Sequence, residues 1–402
     1  MTEEMIACSP PPKEEVIRRI EGLREDLKEK GISFAIILQN VDLFYFTGTM
    51  PRGVLVVPAS DASVEPIFFV EKGVEKARKE TPLEVIPKAG LTFVRDVLAK
   101  KGLMKGVCGM ELDVLPYNIY ARWNELLKIE IKDISPIIKG MRMIKSEYEI
   151  GEMKRSGRIV SHVFNMAKDI IDEGMRELDI ASTLESEGRR FGHQGFLRMR
   201  GFNQEMDNIC VTHGLASTIP SFTDAPIQGT GITPAFPHGP SFGRLKRGIP
   251  ILIDYGGGYN GYTTDETRTY VIGMLEEPFK RPAAVAIETI EETMDFAREG
   301  VNGREIFLRA LKKVKKEGLE EYFMGYGEGK VSFIGHGLGL EINELPVITG
   351  RHDIILREGM VFAFEPKFVI PEKGAIGIEV DFIVRKDRLE RVTNTSFGVI
   401  YL

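Results

Sequence analysis

The chain is poor in cysteine and has no excess of charge of one sign. Its 402 residues include only Cys8, Cys108 and Cys210, which are far apart and form no CxxC motif. Scattered cysteines in odd number argue against a disulfide framework and against a structural zinc site built from thiolates. Lysine and arginine number 53 against 59 aspartates and glutamates. This balance excludes a broad basic surface for nucleic acid or for an anionic membrane.

Long hydrophobic runs are missing as well. The start of the chain lacks the apolar core of an export signal, and the longest apolar stretches are too short to span a membrane. We therefore expect a cytoplasmic protein that acts on a small molecule or a short peptide, with no nucleic-acid or membrane partner. A chain of this length favours two or three domains.

The character of the sequence changes near Lys139. Up to about residue 135, amphipathic helical segments such as 13–30 alternate with short apolar strands, which predicts an α/β domain over residues 1–138. A single long helix is predicted from Met141 to Gly174. Further helices are expected at 278–299 and 303–318, among many glycines, prolines and β-branched residues. Residues 139–402 are thus predicted to form an α+β domain with an antiparallel core.

Two predicted hairpins each carry a pair of carboxylates. In the first, Asp254 and Asp265 lie on β-rich runs around a glycine-containing turn. If Tyr259 and Asn260 form a two-residue loop, the two aspartates oppose each other and project from the same face, about 4.5–5.5 Å apart. Carboxylates at that spacing can hold a pair of metal ions roughly 3.5–4 Å apart.

The second pair, Glu365 and Glu379, repeats the arrangement around a turn centred on Glu372. His336 lies in GHGLG, where the glycines allow close backbone approach and unusual dihedral angles. Singly, such residues are more often ordinary turn or hairpin residues. A carboxylate directly after an apolar run is nevertheless costly without a cation. Four oxygen donors and one imidazole predict a two-metal site for Mn, Co, Fe or Zn, made of Asp254, Asp265, His336, Glu365 and Glu379.

Several motifs resemble those of the creatinase/prolidase/aminopeptidase P family in order and spacing. They are LIDYG, GYTTDETRT, GHGLGLE, LREGMVFAFEP and GIEVD, together with VDLFYFTG and MRMIKSEYEI nearer the N-terminus. The resemblance covers nearly the whole chain. It implies a creatinase-like α/β N-terminal domain over 1–138, a pita-bread catalytic domain with a curved antiparallel sheet over 139–402, and a homodimer.

The resemblance also implies roles for single residues. Asp254 and Asp265 would bind one ion and His336 and Glu365 the other, with Asp265 and Glu379 bridging the two. His238, in FPHG, matches the family's histidine that contacts the substrate or its developing oxyanion. The implied chemistry is attack of a hydroxide held between two cations on a carbonyl carbon, with Glu365 moving the proton to the leaving nitrogen. The usual substrates of the family are peptides with proline after the scissile bond.

The departures from the family pattern lie around the substrate. Asn343 stands where the family's peptidases have a second histidine, and an amide cannot titrate near neutral pH. Val347 and Gly377 stand where prolidases carry arginines. Arg200 could replace these arginines in binding an anionic group of the substrate. The interpretation that Arg200 is only a solvated loop residue has at least equal weight.

Three functions remain open at this stage. The leading one is an Xaa-Pro dipeptidase or aminopeptidase that uses two divalent metal ions. The second is an enzyme of the same scaffold that acts on a non-peptide small molecule, as a C–N hydrolase or a lyase, which Asn343 and Val347 favour. The third is a non-catalytic binding protein on this scaffold, although relatives of that kind have usually lost metal ligands.

Overall fold

The computed structural model describes residues 8–402. The chain divides into two compact units, Met1–Arg142 and Met143–Leu402. The division predicted near Lys139 lies inside a helix, Ser135–Met143, and stays a prediction. No helix in the described part of the chain is both long and apolar enough to cross a membrane.

The first unit is an α/β domain with one mixed sheet of six strands. Its helices are α1 Lys13–Glu29, α2 Asn40–Thr47, α3 Val74–Glu80, α4 Leu91–Lys100, α5 Tyr117–Leu127 and α6 Ser135–Met143. Its strands are β1 Phe34–Ile37, β2 Arg52–Pro58, β3 Ile67–Lys72, β4 Val85–Ile86, β5 Val107–Met110 and β6 Glu130–Asp133. The order in the sheet is β4-β3-β2-β1-β5-β6. The predicted α/β class is confirmed.

Helix α1 shows why the pattern in this unit predicted its elements well. Val16, Ile20, Leu23 and Leu27 recur every three or four residues and are all buried. That spacing places them on one face of an α-helix, which packs against the core. Glu14, Glu21 and Glu25 are exposed, whereas Arg19 is buried and bonded to Glu15. The helix was predicted over 13–30 and ends at Glu29.

The second unit contains mainly antiparallel sheets, with one parallel pair formed by its last strand, and four α-helices. The helices are α7 Glu147–Ile170, α8 Glu177–Arg190, α9 Lys280–Phe296 and α10 Gly303–Lys316. The strands are β7 Ile209–His213, β8 Ile251–Tyr259, β9 Tyr262–Val271, β10 Phe333–Gly337, β11 Glu344–Thr349, β12 Val361–Phe364, β13 Lys367–Ile370, β14 Gly374–Gly377, β15 Val380–Val384, β16 Leu389–Arg391 and β17 Ile400–Tyr401. They form sheets of order β11-β10-β12-β15-β16, β13-β14 and β17-β9-β8-β7. The predicted α+β class is confirmed.

The single long helix predicted from Met141 to Gly174 is wrong. The chain leaves helix α6 at Met143 and starts helix α7 at Glu147. Ser146 caps α7: its side chain accepts a hydrogen bond from the backbone N–H of Glu149, whose carboxylate accepts one from the N–H of Ser146. This reciprocal capping box satisfies two backbone donors and starts a new helix. The apolar periodicity continues across the break, which is why the pattern did not reveal it.

The register predicted for the first carboxylate hairpin is also wrong. Tyr259 faces Tyr262, so the loop is Asn260-Gly261. Both loop residues have positive φ, 50° and 86°, as a type I′ turn requires and as an Asn-Gly pair favours. Asp265 therefore faces Gly256, and Asp254 lies diagonally across the hairpin from it. The shift is two residues, so both aspartates still project from one face of the sheet.

The register predicted for the second pair is confirmed. Phe364 faces Val380 in one sheet and Lys367 faces Gly377 in the next. Glu365 and Glu379 lie between these two pairs, at the point where both chains pass from one sheet to the other. Each glutamate is consequently flanked on both sides by fully buried strands.

Candidate metal centre and cavity

The second unit encloses a cavity of about 280 Å³ that collects the predicted site residues. They come from β8, β9, β10, the junctions around β12 and β15, and two loops. Lining the cavity are all five predicted metal ligands, Asp254, Asp265, His336, Glu365 and Glu379, together with His238, Asn343 and Val347. Residues more than a hundred positions apart in sequence thus meet at one place, because three antiparallel strand pairs turn their polar faces toward it.

Asp265, His336 and Glu379 form the tightest group of metal donors in the cavity. The Nε2 atom of His336 is 3.8 Å from Oδ2 of Asp265 and 3.8 Å from Oε1 of Glu379. Donors that share one ion at about 2.0–2.2 Å are separated by such distances. The Nδ1 atom of His336 lies 3.3 Å from the carbonyl oxygen of Gly337. A proton on Nδ1 donates to that carbonyl and leaves the Nε2 lone pair facing the two carboxylates.

The electrostatics of this group fit a divalent cation. Asp265 is 4% exposed, and its Oδ1 atom has no hydrogen-bond partner among the described residues. Burial raises the pKa of Asp265 well above its ordinary value, and the carboxylates of Glu379 and Asp254 raise it further. Burial likewise raises the pKa of Glu379, against the lowering effect of Lys367. A buried carboxylate oxygen without a partner is expensive, and a metal ion at this position would satisfy it.

Close packing of the neighbouring backbone explains why glycine stands on both sides of His336. A Cβ atom on Gly335 or Gly337 would collide with a carbonyl oxygen of a neighbouring strand, that of Ala363 or Leu345. The predicted close approach is therefore present. The predicted unusual dihedrals are absent from Gly335, Gly337 and Gly339, none of which has a positive φ. Lack of a side chain, and not a left-handed backbone, lets His336 sit between two strands.

A lysine that the sequence analysis overlooked occupies the other half of the site. The Nζ atom of Lys367 lies 3.1 Å from Oδ2 of Asp254, 2.9 Å from Oε2 of Glu365 and 2.7 Å from Oε2 of Glu379. An ammonium has three N–H donors, and three carboxylates surround this one. Asp254 and Glu365, two predicted metal ligands, thus face a cation that belongs to the chain itself.

Lys367 is charged in this setting. Burial alone would lower the pKa of its ammonium, but Asp254, Glu365 and Glu379 together raise that pKa well above the ordinary value. The sequence held a signal for it, since a lysine two residues after Glu365 in an apolar strand points to the same face as that glutamate. Direct opposition to Gly377 was a second signal, because the predicted register already paired the two positions.

His238 lies in the wall of the cavity with a free imidazole nitrogen. Its Nε2 atom is buried and has no hydrogen-bond partner within residues 8–402. The ring packs against Phe236, with the ring centroids 3.9 Å apart, and against Phe222. Burial lowers the pKa of His238, and the negative charges of Asp207 and Glu205 partly offset this lowering. A neutral imidazole with one nitrogen unengaged can donate or accept a hydrogen bond to a bound molecule.

Asn343 and Arg200 contact each other, and only Asn343 also lines the cavity. The Arg200 backbone N–H donates to Oδ1 of Asn343, and Nδ2 of Asn343 donates to the Arg200 carbonyl, both at 2.8 Å. The Arg200 guanidinium lies 3.6 Å from Oε2 of Glu341 and is largely buried. Arg200 is not among the residues that line the cavity. Its role as an anion clamp, and the role of Asn343 in substrate binding, stay predictions.

Two family models match the chain. Residues 151–386 match the metallopeptidase family M24, and residues 19–144 match the creatinase/prolidase N-terminal domain. The two matches follow one another along the chain and confirm the resemblance inferred from the motifs. The M24 match covers all five predicted metal ligands, and His238.

Known proteins of similar sequence and structure agree with these matches. An Xaa-Pro dipeptidase of Pyrococcus furiosus is 29% identical over 382 residues, which cover 94% of this chain and 98% of that protein. The structure of an Xaa-Pro dipeptidase from Bacillus anthracis is similar with a TM-score of 0.82 at 26% identity, covering 96% of this chain and all of the other. For the prolidase from Pyrococcus furiosus the TM-score is 0.76 at 26% identity, covering 93% and 99%. The chain therefore belongs to metallopeptidase family M24, in the creatinase/prolidase/aminopeptidase P group, with that group's pita-bread fold and peptidase-type hydrolase class.

Proposed function

We propose that this protein is a metal-dependent peptidase that cleaves short peptides with proline after the scissile bond. One observation carries the proposal: a donor cluster of Asp265, His336 and Glu379 lies in the same cavity as the unpartnered Nε2 of His238. Family membership and relatives named as Xaa-Pro dipeptidases support it. A protein that only binds would not need a buried carboxylate oxygen left open for a cation.

The chain's own residues supply positioning and proton transfer. A divalent ion held by Asp265, His336 and Glu379 would polarise a carbonyl and lower the pKa of water. His238, neutral because burial lowers its pKa, donates a hydrogen bond to the oxygen on which negative charge develops. Glu365 accepts the proton of the attacking water and passes it to the leaving nitrogen. The sequence predicted a hydroxide shared by two ions. The Lys367 ammonium contacts Asp254 and Glu365, two of the ligands that such a pair of ions would need.

The charge of the cavity wall favours an aminopeptidase over a dipeptidase. Lys367 is the only lysine or arginine lining the cavity in the described part of the chain, and three carboxylates engage it. Five further acidic residues line the same cavity; Asp265 belongs to the donor cluster and Glu344 pairs with Lys145, which leaves Glu205, Asp207 and Asp224. Such a wall attracts the free amino group of a peptide and repels its terminal carboxylate. Peptides longer than two residues, whose carboxylate lies farther from the wall, are therefore the expected substrates.

Cleavage of a peptide panel tests this function. The protein is loaded separately with Mn, Co, Fe or Zn and incubated with Xaa-Pro dipeptides, Xaa-Pro-Yaa tripeptides and the amides of both. We expect cleavage of tripeptides and of dipeptide amides to exceed that of free dipeptides. The His336→Ala variant should be inactive, whereas His352→Ala, which changes an exposed histidine of the same unit, should keep wild-type activity. No cleavage of any peptide with any metal would refute the proposal.

One observation, the contact of Asn343 with the backbone of Arg200, favours a second function, an enzyme of this scaffold that acts on a non-peptide small molecule. Asn343 replaces the family's second histidine and uses its amide to fix the backbone of Arg200, so this position holds a loop and transfers no proton. A non-peptide substrate with a C–N bond would need no such histidine. Metabolites tested with the metal-loaded protein separate the two functions, and a gain of Xaa-Pro cleavage in Asn343→His would show that this position gates specificity. The homodimer and the cytoplasmic location stay predictions.

A further inference from the structure

The position of Lys367 conflicts with a pair of metal ions. The two-ion arrangement requires Asp254 to bind one ion and Glu365 the other. In the structure Asp254, Glu365 and Glu379 each place an oxygen within 3.1 Å of the Lys367 ammonium nitrogen. Asp254 and Glu379 accept hydrogen bonds from the ammonium, and Glu365 forms an ion pair with it. An ion that used the same oxygens would lie next to the ammonium, where like charges repel in a buried setting.

The two carboxylate oxygens of Glu379 face different halves of the site. Its Oε1 atom faces Nε2 of His336 at 3.8 Å, and its Oε2 atom accepts hydrogen bonds from Lys367 at 2.7 Å and from the Thr267 hydroxyl at 2.8 Å. A carboxylate that bridges two ions has one on each side. Here one side faces the donors Asp265 and His336, and the other side faces the ammonium.

The strand opposite Lys367 leaves room for its side chain. Gly377 is its direct cross-strand partner. A Cβ atom on Gly377 would lie 2.5 Å from Cγ and 2.8 Å from Cα of Lys367. Thr269 holds this edge in place, because its hydroxyl donates to the Gly377 carbonyl at 2.6 Å. The lysine is therefore accommodated by its surroundings, and any larger residue at position 377 would displace it.

We infer that the Lys367 ammonium replaces one cation of the metal pair, so that each chain binds a single divalent ion at Asp265, His336 and Glu379. The four carboxylates Asp254, Asp265, Glu365 and Glu379 are then nearly neutralised by one ammonium and one divalent ion. This inference concerns the same site as the proposed function and rests on it for the role of the ion.

Metal stoichiometry without substrate tests the inference. The purified protein is saturated with Mn²⁺, freed of excess metal and analysed by mass spectrometry for metal and by electron paramagnetic resonance. Wild type should retain one Mn²⁺ per chain with the spectrum of an isolated ion. Lys367→Gly, which vacates the position, should retain two, with the spectrum of a coupled pair, since ions roughly 3.5–4 Å apart interact magnetically.

Lys145→Ala is the matched control. Lys145 is another buried lysine of the second unit, paired at 3.2 Å with Glu344, which lines the cavity but is not one of the donors Asp265, His336 and Glu379. Its loss should leave the count at one. Two ions, or none, in the wild-type protein would overturn the inference whether or not Lys367→Gly folds. A count of one in folded Lys367→Gly would also overturn it, because the lysine would then not be what excludes the second ion.

The outcomes separate this inference from the proposed function. A wild-type protein that binds one ion and cleaves no peptide would refute the peptidase alone. A protein that binds two ions and cleaves Xaa-Pro peptides would refute the single-ion site alone.

Discussion

The two carboxylate pairs of the second unit differ in how their negative charge is balanced. On the β8–β9 hairpin, Asp265 is buried, and its Oδ1 atom has no partner in the described chain. The pair Glu365 and Glu379 contains its own cation, because Lys367 follows Glu365 on the same strand face. Asp265 thus depends on a ligand from outside, whereas Lys367 neutralises Glu365 and Glu379 and also reaches Asp254 of the first pair.

On the inference drawn above, a ligand set that matches the family motifs does not by itself determine how many ions bind. All five predicted donors reach one cavity, as the motifs suggested. A single residue outside the motifs changes what the donors face. The ligand set therefore has to be considered together with every charged side chain on the same strand faces.

Removing a donor from the first pair should have the largest effect. Asp265→Asn keeps the shape of the side chain but loses the charge that attracts the ion. We expect peptidase activity to fall by on the order of a thousandfold, equivalent to about 4 kcal/mol of transition-state stabilisation, with metal content near zero.

The matched control for this change is Asp169→Asn, at an exposed aspartate of helix α7. Its activity and metal content should equal those of wild type. Full activity and metal content in Asp265→Asn would show that the first pair does not need an external cation.

Removing the internal cation should destabilise the second pair. Lys367→Met retains the volume but leaves Asp254, Glu365 and Glu379 facing one another in a buried site. Loss of one partner from a buried ion cluster costs about 3–5 kcal/mol. Chemical denaturation of metal-free protein should show this loss, and added Mn²⁺ should recover part of it. An unchanged unfolding midpoint in metal-free Lys367→Met would mean that the carboxylates do not need the ammonium.

Acid should weaken the sheet that carries the first pair through His213, at the end of β7. Its Nδ1 donates to the Pro250 carbonyl and its Nε2 accepts from the Lys246 N–H. Burial lowers the pKa of His213 to about 4, from 6.5. Because the folded protein holds His213 neutral, its contribution to the free energy of unfolding is complete above the pKa of the unfolded chain. That contribution is lost as the pH falls from the unfolded pKa toward the folded one. We expect a loss of about 3 kcal/mol between pH 6.5 and 4.

The variant His213→Gln isolates this contribution, since glutamine offers a donor and an acceptor but does not titrate. The difference in free energy of unfolding between wild type and variant should change with pH only below about 6.5. Parallel curves down to pH 4 would contradict the assignment. His352→Gln, at an exposed position, should follow wild type throughout.

The smallest expected effect tests the packing between the strands of the second pair. Gly377→Ala would bring a methyl group to 2.5 Å from Cγ of Lys367, and overpacking of this kind costs about 1–3 kcal/mol. The double variant Gly377→Ala/Lys367→Gly should lose less stability than the sum of the two single variants, because the clash partner is gone. Strict additivity in denaturation experiments would show that the two residues do not interact.

Most of the correct fold predictions came from the regular spacing of apolar residues along helices and strands. Helix α1 was predicted over 13–30 and lies at Lys13–Glu29, and helix α10 was predicted over 303–318 and lies at Gly303–Lys316. The errors occurred where one or two residues override a pattern. Ser146 starts a new helix inside an amphipathic run, and Asn260-Gly261 fixes a turn one residue later than expected.

The site was predictable where residues lie on strands and not where they lie on loops. Strand alternation and register placed Glu365 opposite Glu379 and would also have placed Lys367 beside them. The contacts of Arg200 with Asn343 and Glu341 depend on the path of a loop, for which the sequence offers no periodicity. Long-range packing decides such contacts, so no local pattern could have indicated them.

A crystal structure of the Mn²⁺-soaked wild-type protein, with anomalous data, tests the central claim most directly. We predict one anomalous peak, bound by Asp265, His336 and Glu379, with the Lys367 ammonium still among Asp254, Glu365 and Glu379. Two peaks with Lys367 displaced, or no peak in the cavity, would contradict it.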